Sequence, residues 1–515
     1  MVEGIANSPY AINELQVPYM AKRRKLTAKQ KKARAARNRA ISRDPVALSH
    51  QIVRRSEVLR RAGKFDDAYD ILAPYREQIG HTEAYLFEIG MIYMNRHQLD
   101  EAEQCLNRAI QLNSTPAKLS QLAFVHHQRG DYVKAVGLYR QSLKADADQL
   151  ATYINLSMSL EMMGLFEEAE AALQIALKLQ PGDPKAIFAL SNVLLAKGDL
   201  VHGPAMYDAG FGCKTRHPAI DVKENYWRGE DISDKTIVVW REYGVGDEIR
   251  NASLFPDLID AAGKVVIECE KRLVPLFGRS FPEAEVIAQV NDGVSKVFTE
   301  RPDFDVHIGQ ASLMQFFRDS LDKFPRHTGY LTPDPERVRF WRARLEGLGG
   351  KLAVGICWRS KLMLQTRIRQ FLSLEAMADI LRTPDVAFVN LFYGECADEL
   401  EDAGERLGLT IHNFDDIDLL NDLDEVAALT RALDLVITAS TSVFDMGGAV
   451  GTETWTFVAP HHREMLGTDH VPWFPSVRVF EKRKLDPWGP VLAKVKRELD
   501  TRLAEDAAPQ RRAAG

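Results

Sequence analysis

The sequence predicts an all-α array of helical repeats followed by an α/β region with two parallel sheets. The first observation is a period of 33 or 34 residues that runs from about Ser49 to Asp208. The second is a series of short apolar runs that alternates with helical patterns from Lys235 onward, with a break near Pro333. Such alternation is typical of parallel sheets covered by helices. The expected boundaries are a basic, flexible arm over 1–48, the repeat array over 49–209, a connector over 210–234, one α/β half over 235–335, a second half over 336–503 and a flexible tail over 504–515.

The repeats are defined by small residues at fixed spacing. Five of them lie 34, 33, 34 and 34 residues apart: Ala68, Ala102, Ala135, Ala169 and Gly203. Five residues before each lies one of Gly63, His97, Gly130, Gly164 and Gly198. A small residue lets two helices touch, and the glycine ends the first helix of each pair. The pattern resembles the tetratricopeptide repeat, whose stacked helix pairs form a superhelix with a concave groove. The resemblance implies a bound protein partner, and the alternative is a purely structural stack.

The cysteines and the hydropathy of the chain indicate the cellular compartment in which we expect the protein. The five cysteines are scattered and form no Cys-x-x-Cys pair, which argues against a disulfide framework and a zinc site. Residues Met1–Val17 lack a basic start followed by an apolar run, so no secretory signal is expected. No apolar stretch approaches the ~18 residues of a membrane span, and we expect a cytoplasmic protein.

A basic block lies near the start of the chain. Lys22–Arg43 holds eleven Lys and Arg and no acid, in a chain of net charge −6. Such a block could contact nucleic acid, an anionic membrane or an acidic partner. We favour a solvated, partly disordered arm. No aromatic residue is interleaved for base stacking, so we expect no nucleic-acid partner.

The stretch Asp434–Pro460 predicts a βαβ unit. Apolar β-branched runs at Asp434–Thr438 and Thr454–Val458 are typical of buried strands, and the helical segment Val443–Val450 lies between them. Two adjacent glycines in that helix indicate close approach by a ligand or a neighbouring backbone, since each weakens a helix by ~1 kcal/mol. The N–H groups at the helix start would lie at the carboxyl edge of the sheet, where they can bind an anion. The alternative is an ordinary crossover with no ligand. Upstream, Phe371–Arg382 is expected to form one helix.

Four motifs of the α/β region resemble those of the bacterial heptosyltransferase-like glycosyltransferases. They are Gly244–Asp247, Val354–Ser360, Asp434–Gly451 and Pro472–Pro475, in the expected order. A repeat array followed by such a domain is similar to bacterial protein glycosyltransferases and, broadly, to the O-GlcNAc transferases. The resemblance implies a GT-B fold, two Rossmann-like halves with a cleft between them. It also implies sugar transfer from a nucleotide-sugar, with no metal and no cofactor.

Asp247 is the candidate catalytic residue. It matches the family's catalytic aspartate at the glycine-rich turn, and an acceptor hydroxyl needs a general base as the sugar arrives. The alternative is that Asp247 caps the following helix. Gly244 and Gly246 would let the donor or the acceptor approach the backbone.

The donor diphosphate requires positive charge and hydrogen-bond donors, because no metal is expected to stabilise the leaving group. Candidates follow the ends of predicted strands and match the family's phosphate-contact region: Arg359, Ser360, Lys361, Arg367 and Arg369. The alternative is a solvated basic loop. At the later helix start, Thr441 and Ser442 would add hydroxyl and backbone donors, and Glu395 would bind ribose hydroxyls.

The chain departs from the family at two donor-binding positions. Ser440 stands where many members have aspartate, and Asp445 stands where they have histidine. The departures indicate either a different sugar, for example an acidic one, or a loss of activity. His461, His462 and Glu464 lack the order of a zinc motif and are interpreted as a loop.

The sequence therefore predicts a bacterial-type protein glycosyltransferase. The repeats hold an acceptor protein, and the GT-B domain transfers a sugar to its Ser or Thr. Flagellin is a candidate acceptor on the resemblance alone. The alternative function is a scaffold or chaperone adaptor with an inactive glycosyltransferase-like domain.

Overall fold

The computed structural model describes residues 45–216, 224–289, 303–362, 371–458, 463–482 and 487–507. Most of the arm over 1–48 and of the tail over 504–515 lies outside these residues. So do Arg367 and Arg369, as well as His461 and His462.

The repeat region is a succession of helix pairs with the predicted spacing. Its helices are Pro45–Arg61, Phe65–Leu72, Arg76–Ile79, Glu83–Asn95, Leu99–Leu112, Pro116–Arg129, Tyr132–Ala145, Leu150–Met162, Phe166–Leu179, Pro184–Lys197, His202–Met206 and Ala209–Gly212, with a 3-10 turn at Ala73–Tyr75. The small residues have the expected role: Ala68, Ala102, Ala135 and Ala169 are fully buried. A Cβ atom on Gly90 would lie 3.1 Å from Cγ of Leu106, so the helices of this pair are in close contact.

The turns between paired helices confirm the role of the recurrent glycine. Positive φ angles occur at Gly63, Gly130, Gly164 and Gly198. His97, the non-glycine member of the set, adopts the same conformation with φ 58°. This left-handed conformation ends the helix, and glycine adopts it without steric cost.

The chain forms two compact units, and the division falls inside the repeat region rather than near residue 209. The last helix pair belongs to the second unit because Leu195, Tyr207 and Phe211 share an apolar core with Trp240 of the first sheet. The two units comprise Met1–Leu160 with Ala171–Pro181, and Glu161–Glu170 with Gly182–Gly515.

The second unit contains two parallel sheets, as predicted. The first has the order β3-β2-β1-β4 and is built from β1 Ile232–Trp240, β2 Ala262–Cys269, β3 Glu285–Ala288 and β4 Val306–Gly309. The second has the order β10-β9-β8-β5-β6-β7 and is built from β5 Leu352–Cys357, β6 Val386–Asn390, β7 Ile411–His412, β8 Leu435–Ala439, β9 Thr454–Val458 and β10 Val477–Glu481. All the strand pairs are parallel.

Helices connect these strands. They are Val245–Asn251, Phe255–Ala261, Val274–Ser280, Met314–Phe317, Pro335–Glu346, Ala378–Leu381, Ala397–Leu407, Leu423–Ala432, Ser442–Ala449 and Gly489–Ala507. Short 3-10 turns lie at Ala252–Leu254, Lys271–Leu273, Gln310–Leu313, Leu321–Lys323 and Arg463–Met465. Over the described part of the chain, none of the helices is long and apolar enough to cross a membrane.

The prediction of one helix over Phe371–Arg382 is wrong for most of its length. Only Ala378–Leu381 is α-helical. The backbone N–H of Leu372 instead donates to the carbonyl of Trp358, at 2.9 Å, so this end of the segment is tied to the end of β5. The apolar side chains of this segment are nevertheless buried: Leu372, Leu374 and Met377. Their helix-like spacing therefore reflects packing of an irregular segment against the core.

Candidate functional site

Two helix starts meet between the sheets of the second unit. Helix Val245–Asn251 follows β1, and helix Ser442–Ala449 follows β8. A Cβ atom on Gly246 would lie 2.5 Å from Oδ2 of Asp445 and 3.3 Å from Cα of Ser442. Helices that follow parallel strands begin at the carboxyl edge of the sheet, so the carboxyl edges of both sheets lie at this contact. Gly246 therefore accommodates the neighbouring helix.

The adjacent glycines of helix Ser442–Ala449 have a similar explanation. A Cβ atom on Gly447 would lie 2.3 Å from Oγ1 of Thr454, and one on Gly448 would lie 2.3 Å from Cγ of Phe474. The glycines do allow close approach, but the groups that approach are side chains of β9 and of the segment before β10, not the ligand or backbone that was predicted.

Arg250 is the centre of a charged cluster at this contact. Its Nε and Nη2 donate to Oδ1 of Asp445 at 3.0 and 2.8 Å. Its Nη1 donates to Glu464 at 3.1 Å and to Asp247 at 3.4 Å. The side chains of Arg250 and Asp445 are only 12% and 5% exposed, whereas that of Asp247 is 33% exposed. The cluster thus links both halves of the α/β region to the candidate base.

Burial dominates the electrostatics of Asp445. It raises the pKa of the carboxyl group to about 8, and the nearby Arg250 guanidinium opposes this shift. The carboxylates of Asp247 and Glu464 add to the rise. Three acidic side chains around one guanidinium favour retention of a proton on the most buried of them.

The alternative role of Asp247 as a helix cap is wrong. The N-cap residue is Gly244, and Asp247 is the third residue of helix Val245–Asn251. Its side chain lies 3.4 Å from Nη1 of Arg250 and lines a cavity. Gly244 is exposed, and a Cβ atom there would contact nothing within 4 Å.

The cavity beside Asp247 has a volume of about 60 Å³. Its lining comes from the last helix pair of the repeats, from the segments that follow β1 and β4 and from the segment before β10: Leu195, Pro204, Tyr207, Tyr243, Asp247, Arg250, Asn251, Ala311, Met314, Arg463, Glu464, Leu466 and Trp473. Ligand pockets usually measure ~300–1,000 Å³, so a whole nucleotide-sugar does not fit here.

In the described part of the predicted basic cluster at the end of β5, Arg359 already has a partner. Nη2 of Arg359 donates to Glu399 at 2.6 Å, and its guanidinium lies 4.1 Å from the centre of the Phe392 ring. Ser360 is buried, and its hydroxyl lies 3.1 Å from that of Tyr393. Lys361 is exposed.

The remaining predicted donor residues lie at carboxyl edges of the second sheet. Thr441 is the N-cap of helix Ser442–Ala449, and its hydroxyl accepts from the N–H of Val443 at 3.3 Å. Ser440 and Ser442 are half-buried beside it, and Glu395 is exposed after β6. Asp445 does not join these residues, because its carboxylate is directed to Arg250.

Sequence reasoning missed Arg250 and interpreted Glu464 only as part of a loop. Arg250 lies three residues beyond Asp247, and residues at this spacing share one face of a helix, which is the signal that could have identified it. Glu464 carries no such signal, since it lies 214 residues from Arg250. Within the ranges that the structure covers, no three His, Cys, Asp or Glu side chains are grouped as a metal site would require.

Comparisons with known proteins confirm the repeats. Family models of the tetratricopeptide repeat match residues 126–194 and 83–116. The chain is 34% identical over 411 residues to protein FlbA of Caulobacter vibrioides. The matched region covers 77% of this chain and 69% of FlbA. It is also 24% identical over 111 residues to the bovine BBSome complex member BBS4, covering 22% of this chain and 21% of BBS4.

Solved structures with a similar region include MamA, at 16% identity and a TM-score of 0.27, covering 31% of this chain and 94% of MamA. Another is YrrB, a tetratricopeptide-repeat protein with an unusual peptide-binding site, at 14% identity and a TM-score of 0.28, covering 35% of this chain and 93% of YrrB.

Proposed function

This chain belongs to the family of the Caulobacter vibrioides protein FlbA, and we propose that it is a protein glycosyltransferase with a GT-B domain. It transfers a sugar from a nucleotide-sugar to Ser or Thr of an acceptor protein that the repeats hold. The observation that carries the proposal is the meeting of helices Val245–Asn251 and Ser442–Ala449 beside a cavity lined by Asp247. Flagellin is the acceptor we propose, because the motifs resemble those of bacterial protein glycosyltransferases.

Asp247 acts as the general base in this proposal. The acceptor hydroxyl loses its proton to the carboxylate as the new glycosidic bond forms and the bond to the nucleotide breaks. Such a base commonly contributes ~10²–10⁴-fold to the rate. Arg250, 3.4 Å from Asp247, orients the carboxylate and is itself held by Asp445.

The donor diphosphate binds at the carboxyl edge of the second sheet. Thr441 caps the helix start there, Ser442 adds a half-buried hydroxyl and Lys361 adds an exposed cation. Helix N-termini also favour anions. Arg359 also binds the diphosphate, once its guanidinium has released Glu399 and donates to a phosphate oxygen instead. The departing charge is then stabilised by these groups, with no metal in the proposal.

The test is the intact mass of flagellin from cells that carry wild type, Asp247→Asn, Asp260→Asn or no copy of the gene. Asp260 is exposed on the following helix, so Asp260→Asn is the matched control. We expect the sugar mass with wild type and the control and its absence with Asp247→Asn and the deletion. Full modification with Asp247→Asn would exclude Asp247 as the essential base. An unchanged mass in the deletion strain would exclude flagellin as the acceptor.

One set of contacts favours the second function, a scaffold or chaperone adaptor with an inactive domain. Asp445 is buried against Arg250 at a donor-binding position, and Arg359 is paired with Glu399. Under this function the full chain captures flagellin, yet flagellin has the same mass with and without the gene. Capture and mass measured on the same strains therefore separate the two functions.

A further inference from the structure

The last helix pair of the repeats forms one wall of the cavity that contains the candidate base. Leu195 and Pro204 line the cavity beside Tyr207. The turn after helix Pro184–Lys197 is also closely packed, since a Cβ atom on Gly198 would lie 2.9 Å from the carbonyl oxygen of Leu466. The wall is therefore fixed to the α/β domain within the second unit.

Two phenol groups meet at this wall. The hydroxyl of Tyr207 lies 2.9 Å from that of Tyr243. Burial raises the pKa of Tyr243, so its hydroxyl stays protonated at neutral pH. Two phenols together have two hydrogens, and the bond between them uses one. The other hydrogen has no protein acceptor among the described residues and is available to a group inside the cavity.

One guanidinium fixes both phenols in place. Arg216 is fully buried, and it donates to Glu242 at 2.7 Å and to Asp208 at 2.6 Å. These acids are the sequence neighbours of Tyr243 and Tyr207. The guanidinium also lies 4.7 Å from the centre of the Tyr207 ring. Arg216 is thus a positioning residue for the phenol pair.

The size of the cavity selects the ligand. A water molecule needs at least ~10–15 Å³, so about 60 Å³ has room for a few waters or for the side chain of Ser or Thr. A sugar ring with its nucleotide exceeds this volume. The site beside the phenols is therefore suited to the acceptor residue rather than to the donor.

We propose that the Tyr207–Tyr243 phenol pair is an acceptor-binding site that presents a Ser or Thr residue to Asp247, so that the last repeat selects which hydroxyl is modified. The inference rests on the glycosyltransferase function proposed above. Tyr207 then accounts for the choice of hydroxyl, whereas the remainder of the array accounts for capture of the acceptor protein.

Tyr207→Phe is the test, because it removes one hydroxyl and keeps the buried ring. The matched control is Tyr139→Phe, whose hydroxyl is buried in the first unit with no hydrogen-bond partner among the described residues. Flagellin is induced in cells with each variant, and its modified Ser and Thr positions are mapped by mass spectrometry over time. Thermal unfolding of each purified full-length chain is measured in parallel.

We expect Tyr207→Phe to slow modification about ten-fold, which corresponds to the loss of one hydrogen bond, and to shift the distribution among acceptor positions. The unfolding temperature should fall by no more than about 2–6 °C, since one lost hydrogen bond is worth about 0.5–1.5 kcal/mol, and Tyr139→Phe should modify the wild-type positions at the wild-type rate. A wild-type rate and distribution with Tyr207→Phe would overturn the inference and leave the proposed function standing. Unmodified flagellin with every chain, wild type included, would overturn both.

Discussion

Arg250 donates two hydrogen bonds to a single carboxylate oxygen of Asp445, at 3.0 and 2.8 Å. The two residues lie 195 positions apart, one on the helix after β1 and the other on the helix after β8. A buried hydrogen-bonded pair is costly to break on one side, since the remaining polar group has no solvent to replace its partner. This pair therefore ties the two halves of the α/β region together at the candidate site.

Arg250→Met should destabilise the protein strongly. Each buried acceptor that loses its donor costs about 1–3 kcal/mol, and Arg250→Met removes the donor of both Asp445 and Glu464. Arg406→Met is the matched control: Arg406 is about half exposed, and exposed pairs contribute only ~0–1 kcal/mol. Chemical denaturation of both variants measures the difference. Equally small losses would show that the Arg250 pair contributes no more than a surface pair.

Asp445→Asn should change the pH dependence of stability. An aspartate in the unfolded chain has a pKa of about 3.9, and burial raises that of Asp445 to about 8. Between these values the folded state holds a proton that the unfolded state releases, so the free energy of unfolding falls as pH rises. Asparagine has no such proton. The stability of wild type relative to Asp445→Asn should therefore fall between pH 5 and 8, by at most ~1.4 kcal/mol per pH unit. A difference that stays constant over this range would contradict the assignment.

Gly246→Ala should force the two helix starts apart. The new Cβ atom would lie 2.5 Å from Oδ2 of Asp445, and overpacking of this kind costs about 1–3 kcal/mol. Gly278 lies in helix Val274–Ser280, and a Cβ atom there meets nothing within 4 Å. Gly278→Ala should instead stabilise by up to ~1 kcal/mol, because alanine favours the helix. A denaturation midpoint for Gly246→Ala that is unchanged or raised would refute the close approach.

Arg359 and Glu399 should have opposite effects on nucleotide binding. If Arg359 leaves Glu399 to bind a diphosphate, Arg359→Ala loses a charged hydrogen bond of roughly 1.5–3 kcal/mol and weakens binding about ten- to a hundred-fold. Glu399→Gln removes the competing carboxylate and should tighten binding. Titration of nucleoside diphosphates into wild type and both variants measures this. Equal affinities for wild type and Arg359→Ala would remove Arg359 from the donor site.

The elements of the fold could be predicted well from the sequence. The repeat period located the small residues and the left-handed turns, because both are needed in every helix pair regardless of what surrounds it. Apolar β-branched runs located β8 and β9, because a buried strand needs such residues whatever its neighbours are. The segment Phe371–Arg382 shows the limit: its apolar spacing suits a helix, yet hydrogen bonding to the end of β5 competes successfully with helix formation.

The candidate site was predicted only in part. The position of Asp247 follows from its motif, and the close approach at Gly447 follows from the cost of glycine in a helix. The pairing of Arg359 with Glu399 joins a strand end to a helix 40 residues later, and no local pattern encodes it.

Local periodicity in the sequence determined the repeats, the order of strands and helices, and the residues that end up at strand ends. These properties depend on interactions among near neighbours and on burial of one face of each element. Only the tertiary structure decided that Asp445 binds Arg250, that the last repeat belongs to the cavity wall, and that Tyr207 meets Tyr243. Those contacts join side chains that are far apart in the chain, and they depend on how the two sheets and the last helix pair pack within the second unit.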